Sequence, residues 1–231
     1  MARTGKTLFQ NCDTYTVQQY GDHTGWLRGR AGGIGGSDAA AAIGRSPWRT
    51  NYELWLIKTG RKQAEDISDS ELVRYGTKAE DPLRKLYALD HPDFEVQHQK
   101  DTVLISKADP FLRYSPDGLI LDKKEGRKGI LEVKTTSIMK SYDREKWGTK
   151  DDPRIPDQYY IQVLHGLLVT GFDFIELTAQ LKYDPEYKQI RTYHIERTEV
   201  EDDLQALKEA ETEFWQHVQE DTEPGLILPE I

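Results

Sequence analysis

Ser115-Pro116-Asp117-Gly118 and, with fourteen residues between the aspartate and the glutamate, Glu132-Val133-Lys134 are the two short stretches that decide how this chain reads. The second closes an apolar run, Gly129-Ile130-Leu131-Glu132-Val133-Lys134, with the composition of a β-strand. Successive side chains of a strand point to opposite faces, so Glu132 and Lys134 share one face and Val133 takes the other. Between the two stretches, Asp122-Lys123-Lys124-Glu125-Gly126-Arg127-Lys128-Gly129 is polar and punctuated by glycine, as a hairpin loop is. A hairpin there returns the second strand beside the first and brings Asp117 close to Glu132. Two carboxylates and an ammonium on one surface can hold Mg²⁺ or Mn²⁺, because hard cations prefer oxygen ligands. The lysine can then orient an attacking water and stabilise negative charge developing on a phosphate. Such a set is usually a solvated face. Here, however, Glu132 stands in an apolar run, where a charge costs free energy unless it is paired or metal-bound.

Outward from this pair, residues 15–32 read as a helix from about Val17 with a glycine-rich exit. Ser37 reads as the N-cap of a short helix through Ile43, with Asp38 in its first turn. Pro47 forces a turn, and Asn51 caps a helix ending at Gly60, a C′ residue. A polar loop over 63–70 precedes a helix over 70–89 with Leu72, Tyr75, Ala79, Leu83 and Leu86 as its apolar stripe. Strands follow over 94–99, 102–106, 111–121 (broken at Pro116) and 129–135. A helix over 156–170 leads to strands over 175–181 and 189–195. The last helix, 200–219, buries Leu204, Leu207, Ala210, Phe214 and Val218 and carries charge elsewhere; the tail from Glu223 is irregular. The pattern predicts one α/β domain over residues 1–231: a helical part over about 1–90, a sheet and active-site part over about 91–196, and a C-terminal helix and tail over about 197–231.

With 231 residues, 31% of them charged and 37% apolar, the chain can bury a substantial core. No window approaches a membrane span and residues 1–6 lack an apolar signal core, so a cytoplasmic location is expected. One cysteine, Cys12, excludes an internal disulfide and any cysteine-liganded zinc or iron–sulfur centre made by this chain alone, which discounts the iron–sulfur nucleases. The six histidines are scattered without paired spacing. A net charge of −9 argues against bulk coating of nucleic acid but not against a local basic track.

Two further positions draw attention. Glu80 lies at the edge of the buried stripe of its helix. In the helix from Pro156, apolar residues cover most of the circumference, while Gln158, Gln162 and His165 form one narrow polar stripe that needs partners.

The Pro-Asp followed by (Asp/Glu)-x-Lys resembles the PD-(D/E)xK nuclease motif. Four more pieces, in order, resemble the YqaJ-type viral recombinase family, which includes lambda-type phage exonucleases. They are Gly33-Ile34-Gly35-Gly36-Ser37-Asp38 through Arg45-Ser46-Pro47-Trp48-Arg49-Thr50, then Tyr52-Glu53-Leu54-Trp55 with Lys58-Thr59-Gly60, then Tyr75-Gly76-Thr77-Lys78-Ala79-Glu80, and Tyr159-Tyr160-Ile161-Gln162 through Gly171. The resemblance implies a restriction-endonuclease-like fold, a central mixed β-sheet flanked by helices. It implies a metal-dependent 5′→3′ exonuclease acting on linear double-stranded DNA, leaving 3′ single strands for phage or prophage recombination. Mg²⁺ is the implied cofactor, with Mn²⁺ as substitute and two ions per site. Asp117, Glu132, Glu80 (directly or through water) and the carbonyl of Val133 are the implied metal ligands; Lys134 and Gln162 serve the water and phosphate, and His165 is structural. Arg30, Ser37 and Ser115 are the implied 5′-phosphate pocket, with Arg28 competing for the arginine role. Arg45, with Trp48 and Arg49, is a candidate for touching DNA; the loop near Ile67 and Leu72 departs from the family, so no wedge residue is named there. A homotrimeric ring and a single-strand annealing protein are the implied partners. Two alternatives stand beside this: an endonuclease of the same chemistry, for restriction or repair, and a non-catalytic DNA-binding or scaffold protein, which the intact Asp117, Glu132 and Lys134 disfavour.

Overall fold

The computed structural model describes residues 7–149, 151–184 and 186–228. The strand-forming run around Glu132 is β7 (Lys128–Ser137), and it is the centre of the molecule. β7 lies between β6 (Gly118–Asp122), antiparallel, and β8 (Phe174–Lys182), parallel; β3 (Phe94–Gln97) and β9 (Lys188–Glu196) complete a five-stranded mixed sheet in the order β3-β6-β7-β8-β9. The near-continuous apolar sequence of β7 follows from burial on both faces. Ile130 joins the cluster containing Val163, Leu164 and Leu167 of α6 (Asp157–Thr170), while Leu131 and Val133 join Leu83 and Tyr87 of α4 (Glu71–Asp90). The alternating side chains thus bind one helix to each face.

A second sheet, order β1-β4-β5-β2, is built from β1 (Tyr15–Gln19), β4 (Thr102–Ser106), β5 (Leu112–Tyr114) and β2 (Ile34–Gly35). The one central sheet expected from sequence is therefore two sheets, and the chain passes between them at Ser115-Pro116-Asp117. Proline has no N–H to continue a ladder. The strand that ends at Tyr114 resumes at Gly118 in the other sheet, which leaves Asp117 at the junction. Helices α1 (His23–Ala31), α2 (Gly36–Ala42), α3 (Asn51–Lys58), α5 (Ser141–Trp147) and α7 (Glu201–Glu220) complete the α/β arrangement.

Several local expectations change. Residues 15–19 are a strand, paired antiparallel with β4 from Tyr15↔Ser106 to Gln19↔Thr102. Tyr15 is buried and Gln18 and Gln19 are exposed, and the helix starts later, at Asp22, whose carboxylate accepts from the Gly25 N–H at 2.7 Å. α2 is capped at Gly35, not Ser37, by a bond from the Gly35 N–H to Asp38 at 3.2 Å, which leaves the Ser37 hydroxyl for other use. Thr50, not Asn51, caps α3, accepting from the Glu53 N–H at 3.1 Å. Asn51 is buried and ties down the tail instead, donating to the Gly225 carbonyl at 2.7 Å and accepting from the Ile227 N–H at 3.0 Å. Gly60 holds the expected C′ position at φ +75°. In α4 the buried face is Ala79, Leu83 and Tyr87; Leu72 is 64% exposed and Leu86 is turned aside. In α7, Ala210 and Val218 are only half-buried, whereas Glu211 is fully buried. The helix α5 was not signalled by apolar spacing.

Candidate active site at the sheet junction

The hairpin register pairs Gly118 with Leu131, so the next pair outward sets Asp117 opposite Glu132. The Asp117 Oδ2 accepts from the Val133 N–H at 2.8 Å, which orients the carboxylate along the edge of β7. Its backbone carbonyl accepts from Arg84 Nη1 at 2.8 Å and faces His98 Nδ1 at 3.0 Å, so the junction is held from α4 and from the loop after β3. Glu132 is 2% exposed. It is made tolerable by three donors: the Tyr114 hydroxyl on Oε2, and Lys134 Nζ at 2.7 Å together with the Gln162 amide on Oε1. The alternation of β7 and one inward stripe of α6 thus bring Glu132, Lys134 and Gln162 together. Lys134 Nζ also lies 5.5 Å from the Tyr159 ring centroid.

The electrostatics are those of a crowded anionic site. Desolvation, then Glu132 and Glu80, push Asp117 well above the carboxylate range. Desolvation and Glu132 also raise Glu80, against the pull of Lys134. Burial alone would lower Lys134, but Glu132 and Asp117 outweigh it and hold it above the usual lysine value, so it is an ammonium at neutral pH. As an ammonium it donates hydrogen bonds and positive charge rather than taking up a proton. The adjacent carboxylates of Asp117 and Glu132 form a hard-oxygen donor set that fits a divalent cation. Among the described residues no group of three His, Cys, Asp or Glu stands close enough together to share an ion.

The second group of expected residues assembles around a side chain that sequence did not mark, Trp26 of α1. Arg30 Nη2 donates to the Ser37 hydroxyl at 3.0 Å, and the Arg30 guanidinium lies 4.5 Å from the Trp26 ring centroid. The Trp26 indole N–H in turn donates to the Ser115 hydroxyl at 3.1 Å. Arg30, Ser37 and Ser115, remote in sequence, therefore share one small surface, and Ser115 is two residues from Asp117. Gly36 lets α2 begin directly beside the carboxylate cluster: a Cβ there would lie 3.2 Å from Gln162 Cγ and from the Tyr114 ring. Asp38, half-buried and paired with Lys58 at 2.7 Å, locks this turn, since Lys58 also donates to the Gly33 carbonyl at 2.6 Å. Arg28 is exposed two positions before Arg30, and Arg45 is exposed in the turn after α2. Trp48 is exposed, 6.0 Å from the Tyr159 ring, and Arg49 faces Asp38 at 3.7 Å. Tyr114, Trp26 and Arg84 were missed because a single tyrosine, tryptophan or arginine carries no spacing signature; one residue before Ser115, Tyr114 had only its strand alternation to mark it as inward-facing.

A strand-to-strand junction carrying Pro-Asp, with Glu-x-Lys on the central strand beside it, defines the class: an α/β protein with the PD-(D/E)xK constellation on a restriction-endonuclease-like fold. A model of the YqaJ-like viral recombinase domain matches residues 25–173, and the chain belongs to that family. It is 36% identical to the YqaJ protein of Bacillus subtilis over 153 residues, 64% of this chain and 43% of that one, so the match spans less than half of that relative's length. Among solved structures, the fold is similar to that of LHK-Exo in complex with dAMP, with a TM-score of 0.64 and 20% identity over 86% of this chain and 93% of that one. A second structure of LHK-Exo, an alkaline exonuclease from Laribacter hongkongensis, gives a TM-score of 0.61 at 16% identity, again over 86% of this chain and 93% of that one. Among the described residues, no helix is long and apolar enough to cross a membrane.

Proposed function

We propose that this protein is an Mg²⁺-dependent 5′→3′ exonuclease of linear double-stranded DNA, producing 3′ single-strand overhangs for phage or prophage recombination in the cytoplasm of a bacterial host. The observation that carries the proposal is the joint placement of Asp117, Glu132, Lys134 and Gln162 at one junction, two residues along the chain from the Arg30–Trp26–Ser115 surface. Asp117 and Glu132, with the Val133 carbonyl, would hold Mg²⁺, and Mn²⁺ could replace it. The bound ion supplies Lewis-acid stabilisation of charge on the attacking and leaving oxygens. Lys134 places a fixed positive charge where the phosphate gains negative charge, and its hydrogen bonds orient the incoming water. Gln162, packed on α6, offers an amide to the water or a phosphate oxygen. Glu80 would reach the ion from α4, directly or through water. The Arg30 guanidinium and the Ser37 and Ser115 hydroxyls grip a terminal phosphate. Ser115 lies two residues before Asp117, which suits removal of a nucleotide from a held 5′ end. Family resemblance supports a homotrimeric ring and a single-strand annealing partner as part of the same proposal.

The test is linear duplex with labelled ends, with and without Mg²⁺, beside a covalently closed circle. Release of 5′ mononucleotides from the linear DNA alone, abolished by chelator, is expected. Cleavage of the circle would instead establish an endonuclease, and no cleavage of either by correctly folded protein would overturn the nuclease reading in favour of a non-catalytic DNA-binding or scaffold protein.

Arg30→Ala gives a finer prediction. The wild type should degrade 5′-phosphorylated ends faster than 5′-hydroxyl ends, and Arg30→Ala should shrink that ratio and shorten the tract degraded per encounter, because each cut regenerates a 5′-phosphate. Ser37→Ala and Ser115→Ala should act more mildly, each by about 0.5–1.5 kcal/mol or somewhat more, the net worth of one hydrogen bond, here to a charge. A preference ratio unchanged in Arg30→Ala would move the pocket elsewhere, with Arg28 next to test.

A further inference from the structure

We propose that Tyr114 is a positioning residue for the divalent cation: its hydroxyl holds Glu132 so that Oε2 is the oxygen that ligates the ion. That an ion binds there rests on the nuclease proposal. Tyr114 closes β5 in the four-stranded sheet, yet its side chain reaches across to β7 in the five-stranded one. It is buried, and two helices meet its ring with glycines. A Cβ at Gly36 of α2 would fall 3.2 Å from the ring, and one at Gly166 of α6 would fall 2.9 Å from its Cζ. The slot between them admits the ring deeply enough for the hydroxyl to donate to Glu132 Oε2. A phenylalanine would fill the same slot, and a buried hydroxyl costs free energy unless bonded, so packing alone does not call for a tyrosine.

The role of the hydroxyl follows from how the acceptor capacity of Glu132 is divided. An ionised carboxylate offers about four acceptor positions, two on each oxygen. Lys134 and the Gln162 amide both donate to Oε1 and take up that oxygen. Tyr114 takes one position on Oε2, so the oxygen with capacity for a cation is Oε2. The donors stand on β5, β7 and α6, three separate elements, and together they fix the rotation of the carboxylate.

Asp117, the other proposed ligand, lies opposite Glu132 in the hairpin register, and the phenol feels both carboxylates. Burial first, then Glu132 and Asp117, oppose its ionisation, so it stays a neutral donor beside the two. A donor that fixes a ligating carboxylate in one orientation spares the ion the cost of ordering it. Partners of this kind typically contribute about 10- to 100-fold to metal affinity.

The test is calorimetric titration of Mg²⁺ and of Mn²⁺ into DNA-free wild type, Tyr114→Phe and Tyr15→Phe. Tyr15 is a second buried tyrosine, donating to the Leu8 carbonyl at 2.7 Å, and it controls for the loss of any buried phenol hydroxyl. Tyr114→Phe should bind either ion about 10- to 100-fold more weakly and need correspondingly more Mg²⁺ for half-maximal cutting. Tyr15→Phe should lower the melting temperature and leave ion affinity at the wild-type value. Equal ion affinity in wild type and Tyr114→Phe would overturn the proposal, whatever the melting temperatures. So would tighter binding by Tyr114→Phe, which would make the hydroxyl a competitor for the oxygen. A crystal of the wild type soaked in Mn²⁺ tests the same point without a variant: the ion should sit on Oε2, and an ion on Oε1 with Lys134 displaced would overturn the assignment. Ion binding that is weakened in Tyr114→Phe, with no cutting of DNA by wild type, would refute the nuclease proposal and uphold the positioning role. Wild type that binds neither ion would overturn both.

Discussion

Lys134→Ala is expected to lower the single-turnover rate on 5′-phosphorylated duplex by about 100- to 1,000-fold, the usual consequence of losing one preorganised charge-stabilising donor. DNA affinity measured in chelator should hardly change. The asymmetry arises because the ammonium meets its full partner only as the phosphate gains charge, and an interaction made in the transition state alone appears in the rate and not in binding. The side chain is preset for this role by Glu132, which accepts from it at 2.7 Å, and by the Tyr159 ring 5.5 Å from its Nζ. Glu132 keeps the Tyr114 and Gln162 donors in the variant, so the fold should persist, and a thermal melt checks it. Asp117→Ala should behave differently. It removes an oxygen ligand, so raising Mg²⁺ should recover part of its rate, whereas no Mg²⁺ concentration should recover Lys134→Ala. A correctly folded Lys134→Ala protein with a wild-type rate would end the mechanism.

Why the site was legible at all follows from where its residues lie. Asp117, Glu132 and Lys134 sit on a hairpin, and strand alternation with antiparallel register is local enough to read from spacing. Gln162 was legible as the inward polar stripe of an apolar helix. Arg30, Ser37 and Ser115 could be joined only through family resemblance, because the side chain that connects them, Trp26, has no periodic signal and bonds to Ser115 across 89 residues. The helix start at about Val17, inside what is the strand over residues 15–19, failed for a related reason. Five residues show little difference between the two periods, and it is pairing with β4, far along the chain, that makes them a strand. The division into two sheets was hidden in Pro116: its break was visible, but whether the chain resumes in the same sheet depends on packing of both ends. Glu211 shows the limit most clearly, a carboxylate on a charged helix whose partner lies on another.

That partner is His165. Both side chains are fully buried, with His165 Nδ1 2.7 Å from Glu211 Oε1 and His165 Nε2 2.9 Å from the Arg113 carbonyl. A carbonyl can only accept, so Nε2 carries a proton, and the carboxylate favours a second proton on Nδ1. Burial alone would lower the His165 pKa, but Glu211, the Arg113 carbonyl and Asp38 outweigh it and raise it above the usual histidine value. The pair pins α6 to β5 and α7 one turn from Gln162, so it is a positioning device for the site. His165→Leu should cost about 3–5 kcal/mol near pH 6, because Glu211 is left as an unpaired buried carboxylate whose Oε2 already has no partner. The pH dependence has a definite sign. A histidine with a raised folded pKa contributes its full stability below the unfolded value of about 6.5, and loses it as pH rises through the folded value. Above that point the Nδ1 lone pair faces the carboxylate. The difference in urea unfolding free energy between wild type and His165→Leu should therefore be largest near pH 6 and shrink on the alkaline side. Glu211→Gln, which keeps the shape but removes the charge that holds the second proton, should flatten the same profile. An equal difference at both pH values would show that the histidine is buried neutral and that the pair is an ordinary hydrogen bond.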